Sequence, residues 1–238
     1  MKKTKLLFAL SLASITALTG CKGSKITGED AIKRADEISE NANYGDVKVF
    51  SSTTTAKGTK DGKKVSVKSV LKYDSEKKLA YSYTKQVDGG DTTISEEYFG
   101  IKDGIYYHFD VQEKTYKMVS VAVDGAWAAD TALDFATTLA ALPLTQSALL
   151  TAVKTNESLA DDKKSADLVA YSSGKTSMTI ESVAVDKDDE KNKTTTTTYI
   201  KDNRLSKVTV KSNDFTSKTT YKYSASIKLP STSGYTKK

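Results

Sequence analysis

Between residues 46 and 120 the chain alternates apolar and polar positions with the period of two of a strand wetted on one side. "KKVSVKSVLKYD" (63–74) places Val65, Val67, Leu71 and Tyr73 on one side and Lys64, Ser66, Lys68 and Lys72 on the other. "LAYSYTKQV" (79–87) is expected to repeat this with Leu79, Tyr81 and Tyr83 turned inward. "DVKVFSSTTTAKG", "TTISEEYFGI", "IYYHFD" and "TYKMVSV" complete six strands. The junctions "KDG" at 60–62 and 102–104, and "DGGD" at 88–91, read as hairpin turns. An Asp-Gly pair tolerates the positive φ that two-residue turns demand.

Two segments follow a helical period instead. In "TGEDAIKRADEISENAN" (27–43), Ala31, Ile32, Ala35 and Ile38 share one face. Thr27 is placed to cap it, and Glu29 and Asp30 suit the first turn. At 124–155 alanine and leucine dominate and tyrosine disappears. Residues 135–153 carry no charge, yet four threonines, a serine, a glutamine and a proline make them too polar for a membrane span. They predict two short helices broken near Pro143, apolar on most sides and therefore buried.

After a polar connection at 156–165, strands resume with "ADLVAYSS" and "KTSMTIESVAVD", an acidic loop "KDDEKN", then "TTTTTYI", the turn "KDN" and "LSKVTVKS". The turn "NDFTS" leads into "KTTYKYSASIKL", with Tyr221, Tyr223, Ala225 and Ile227 on one face. Residues 230–238 read as a flexible tail. "YFGIKDGIYY" and "TYIKDNRLSK" echo each other, as good hairpins reusing one turn do; the alternative is an internal duplication.

The order of elements predicts an α+β fold over residues 29–229. A single antiparallel sheet of about eleven strands, too large to stay flat, curls over the N-terminal helix and a two-helix insert.

Composition narrows the chemistry. The net charge of +6 includes Lys2, Lys3 and Lys5. Without them it is about +3, a mild excess unaccompanied by an Arg-rich stretch, so nucleic acid is not an expected partner. The one cysteine excludes an intrachain disulfide and a multi-cysteine zinc site. The one histidine, His108, excludes a histidine-cluster metal site. Glu96 and Glu97 are adjacent on a strand and point to opposite faces, so they do not form a catalytic pair. No phosphate-cradling glycine loop or nucleophile elbow is present. The chain is not expected to be an enzyme, nor to carry a metal or cofactor.

The N-terminus reads as an export signal. "MKKTK" is basic, "LLFALSLASITAL" is an apolar core too short to cross a bilayer, and "LTGC" ends on Cys21. This stretch resembles the lipobox of bacterial lipoproteins. The resemblance implies removal of residues 1–20 and a diacylglyceryl thioether on Cys21, with residues 21–28 as a flexible tether to an extracytoplasmic face of the membrane. Two or three acyl chains, at about 0.8 kcal/mol per buried CH₂, make a stable anchor where one does not.

The order of elements resembles, in topology alone, the half-barrel of the LolA/LolB lipoprotein carriers and the LppX/LprG lipid-carrying lipoproteins. That resemblance implies a lipid or other apolar ligand between sheet and helices of a monomer. Its candidate lining is Tyr81, Tyr83, Trp127, Leu133, Phe135, Leu139, Leu142, Leu149, Leu150, Tyr221 and Tyr223. The alternative is a structural or protein-interaction envelope lipoprotein whose core is filled. Packing of the leucines against the tyrosines separates the two.

Overall fold

The computed structural model of the protein describes residues 23–120, 133–186 and 192–238. Cys21, Trp127 and most of the acidic loop, 187–191, lie outside the described residues. The elements are β1 (Ser24–Ile26), α1 (Gly28–Asn41), β2 (Val49–Lys60), β3 (Lys63–Asp74), β4 (Leu79–Asp88), β5 (Asp91–Lys102), β6 (Ile105–Asp110) and β7 (Thr115–Ser120). They continue with α2 (Leu133–Glu157), a 3₁₀ turn (Asp161–Lys163), β8 (Leu168–Gly174), β9 (Ser177–Val185), β10 (Lys193–Lys201), β11 (Arg204–Lys211), β12 (Phe215–Lys222) and β13 (Thr236–Lys237).

These form an α+β fold with one large, open, curved sheet of thirteen strands among the described residues, in the order β1-β8-β9-β10-β11-β12-β2-β3-β4-β5-β6-β7-β13. Two meanders, β2–β7 and β8–β12, are joined through the antiparallel β12–β2 pair. The turns follow the local signals. Asp61-Gly62, Asp103-Gly104 and Asp202-Asn203 all have positive φ at both positions, between 51° and 74°, the geometry that matches the twist of the flanking strands.

Pairing register assigns each side chain to a face. The covered face carries Phe50, Tyr73, Ala80, Ile180, Ile200, Val208 and Tyr221, in register across neighbouring strands. Both helices pack on it. Ala31, Ala35 and Ile38 of α1 and Leu142, Leu150 and Val153 of α2 join Phe50, Ala170, Met178, Ile180, Ile200 and Leu205 in one buried cluster. The α1 face predicted from its spacing is the buried one. Thr27 makes no side-chain cap; instead the Gly28 N–H donates to Glu157 Oε2 at 2.8 Å, tying the start of α1 to the end of α2.

Several expectations are corrected. In the described part of the insert one 25-residue helix runs through Pro143 and is not broken there. Proline forfeits one helical hydrogen bond, but Leu139, Leu142, Gln146, Leu150 and Val153 recur at three- and four-residue steps on its packed side and hold the helix across that gap. Nor is α2 buried on most sides: Leu144 is 73% exposed, and Ala140, Ala141, Ser147 and Ala148 face water. Residues 24–26, assigned to a flexible tether, pair with β8.

The last predicted strand stops at Lys222, and the chain beyond is an ordered strap rather than a loose tail. It crosses the other, open face. Ser51 Oγ donates to Ser224 O, and Lys72 Nζ to Ser226 O. Leu229 lies against Gly100, where a Cβ would come within 2.5 Å of Leu79 Cδ2 and 3.1 Å of Leu229. Tyr235 then packs edge-on to Phe109, and β13 pairs in parallel with β7. Short strands β1 and β13 thus occupy the two sheet edges, which long unpaired strands would leave prone to association.

Candidate ligand-binding site

Of the residues expected to line an apolar cavity, Leu139, Leu142, Leu149, Leu150, Tyr221 and Tyr223 do converge, around Phe50 on the covered face. They pack there in one cluster. Phe50 is fully buried, with the rings of Tyr221 and Tyr223 each 6.2 Å away. A polar network locks the same region. Tyr44 OH donates to Gln146 Oε1 at 2.6 Å and accepts from the Leu205 N–H at 2.9 Å. Gln146 Nε2 donates to Asn203 O, and Tyr223 OH to Leu205 O at 2.6 Å. Burial is the main force that raises the phenol pKa values of Tyr44, Tyr221 and Tyr223. Leu133 and Phe135 open α2, with their side chains outside the described set.

Tyr81 and Tyr83 are not inward with this group; they stand on the open face. The four-residue turn at 75–78 sets Asp74 opposite Leu79, so Tyr73 meets Ala80, and Tyr81 meets Lys72. A one-residue difference in register moves every side chain of a strand to the other face. Ala80, not Tyr81, is therefore fully buried. Tyr81 and Tyr98, 4.7 Å apart between ring centres, both donate to Glu96 Oε1. Burial, then the Glu96 charge, pushes both phenols up. Glu97 lies on the opposite face, with Oε1 3.2 Å from His108 Nε2.

The open face also carries what strand-by-strand reading missed. A cavity of about 690 Å³ is lined by residues from six neighbouring strands, β10-β11-β12-β2-β3-β4. Five are lysines, one from each of five strands: Lys57, Lys68, Lys85, Lys207 and Lys218. Thr55, Ser66, Thr209 and Thr216 stand between them, and no carboxylate is in the lining. The strap lies nearer the other ends of β2 and β3, at Ser51 and Lys72, and leaves this part of the face uncovered. Register places Lys68 directly opposite Lys85, and Thr55 between Lys68 and Lys218. The Lys207 ammonium lies 3.4 Å from the centre of the Tyr199 ring. Burial, and then repulsion from Lys218, holds its pKa below the usual lysine range. Taken alone, each lysine is one polar position of its own strand. The signal was their common register, which a single strand does not carry.

A second hollow, about 440 Å³, lies over Leu144, Thr145, Ala148 and Leu149 on α2. Among the described residues no group of three or more His, Cys, Asp or Glu is placed to hold a metal ion, and no helix is long and apolar enough to cross a membrane. No protein-family model matches this chain, and comparison with curated proteins gives no match.

Proposed function

We propose that the protein is a membrane-anchored lipoprotein that binds its ligand in the basic cavity on the open face of the sheet and does no chemistry on it. The anchor is a diacylglyceryl thioether on Cys21, and the domain works as a monomer on an extracytoplasmic membrane face. One observation carries the binding reading. The covered face is occupied by buried side chains from both helices, while a cavity of about 690 Å³ opens on the other side of the same strands. The half-barrel resemblance supports a binding role by analogy of architecture only.

Two measurements test this. Metabolic labelling with a fatty-acid probe is expected to mark the wild type and to vanish in Cys21→Ser; labelling that persists overturns the anchor. Organic extraction of the purified protein lacking residues 1–21, followed by mass spectrometry, is expected to release no stoichiometric lipid. One acyl ligand per chain would overturn surface binding. It would support the second reading, carriage of an apolar ligand, which is favoured by the hollow beside exposed Leu144.

A further inference from the structure

We propose that the open-face cavity binds a linear, hydroxyl-rich polyanion: a glycan or polyol chain bearing a phosphate or carboxylate on each repeat. The inference rests on the surface-binding reading and names its ligand.

Charge comes first. Five strands each contribute one lysine to the lining. None of the five is ion-paired with a carboxylate among the described residues, whose ion pairs lie elsewhere. Acids stand at the margins of the cavity: Glu96 opposite Tyr83, Glu181 opposite Thr197, and Asp214 in the turn before Thr216. The direct Lys68–Lys85 pairing is a like-charge contact that weakens a sheet. An anion bound between the two ammonium groups turns that repulsion into attraction.

Shape comes second. From β10 to β4 the lining crosses five interstrand steps, about 24 Å at about 4.8 Å each. That length exceeds a single phosphate or sugar and suits a chain with repeated charges. Lysine meets an anion as a point charge on a flexible stem, whereas arginine favours a fixed bidentate geometry. A cavity of lysines without arginine suits a mobile repeating polymer. The interleaved hydroxyls of Thr55, Ser66, Thr209 and Thr216 can donate to and accept from a hydroxylated backbone.

Aromatic content separates this polymer from single-stranded nucleic acid. Tyr199 is the one aromatic residue in the lining, and the Lys207 ammonium sits on its ring. Binding of single strands uses free aromatic faces for base stacking.

The test titrates the full chain, in non-ionic detergent at low salt, with four probes: inorganic polyphosphate, polygalacturonate, neutral dextran and an oligothymidylate. Polyphosphate or polygalacturonate should bind and dextran should not; which of the two binds assigns phosphate or carboxylate as the anionic group. Lys68→Gln/Lys207→Gln should weaken binding about tenfold and reduce the salt slope by about two. Lys102→Gln, outside the cavity at the β5–β6 turn, should change neither. Unaltered thermal unfolding of each variant keeps a binding loss from being a folding loss. Failure of both anionic polymers to bind, equal binding by the double variant, or tighter binding of oligothymidylate overturns the proposal. If that happens while organic extracts stay lipid-free, the polyanion is wrong and surface binding stands. If stoichiometric lipid is extracted, the parent reading has failed.

Discussion

Strands β2, β11 and β12 present two unlike surfaces on their two sides. Toward the helices they offer Phe50, Val208, Val210 and Tyr221; toward the open face they offer Thr55, Lys57, Lys207, Thr209 and Lys218. The backbone and its hydrogen bonds are common to both. Only the period-two alternation distinguishes them, so one set of strands supplies cohesion on one side and positive charge on the other. Substitutions on the covered side should act on stability, and those on the open side on binding.

Phe50→Ala is the sharpest way to break that division. Phe50 is fully buried between two tyrosine rings, and its loss is expected to cost about 3–5 kcal/mol, read by chemical denaturation. A cost under about 1 kcal/mol would mean the covered face is not the source of cohesion.

Tyr44→Phe comes next. It removes the acceptor of the Leu205 N–H and the donor to Gln146, and should cost about 1–3 kcal/mol. The same region fixes the response to alkali. Burial raises the folded-state pKa of Tyr44, Tyr221 and Tyr223 above the ordinary 10.0. Their contribution is complete below pH about 10 and is lost as pH rises further, because only the unfolded chain then ionises freely. Lys207 works with the opposite sign: its pKa is depressed, so its contribution improves as pH climbs toward the ordinary 10.5. Tyr81, Tyr98 and Lys164 are raised as well, so the shifts that oppose Lys207 prevail and denaturation midpoints should fall above pH about 10. Tyr221→Phe should move the fall to higher pH; an unchanged alkaline limb would detach it from the covered face.

The smallest effect sharpens the comparison from the other side. Lys68→Thr relieves the pairing with Lys85 and should leave stability unchanged or raised by up to about 0.5 kcal/mol. A loss above about 1 kcal/mol would show that Lys68 serves the fold, through its position 5.9 Å from the Tyr83 ring.

What could be read in advance was local. Asp-Gly and Asp-Asn turns state their geometry in two residues, and the apolar stripe of α1 states its buried face in eight. The misreadings came where one element depends on another. A turn between Asp74 and Leu79 decided which side Tyr81 took, and nothing within β4 itself records that choice. Pro143 is tolerated because of side chains it does not touch in sequence. The strap at 223–238 has little strand character of its own and is held by bonds to Ser51, Lys72 and β7. The cavity is the extreme case, since its five lysines share no segment.

The seam between β12 and β2 has a consequence for how the chain folds. Each meander is built from neighbours in sequence and can form as its residues become available. The seam joins Thr54 to Thr219, 165 residues apart, and three of the five cavity lysines (Lys57, Lys68, Lys85) lie on one side of it and two (Lys207, Lys218) on the other. Long-range strand pairing is slow because the loop entropy is lost before contacts repay it. In a chain emerging from its N-terminus, β2 must wait with an unpaired edge until almost the whole polypeptide has appeared. The five lysines come together only when this long-range pair forms, so a molecule with either meander misformed has half a cavity.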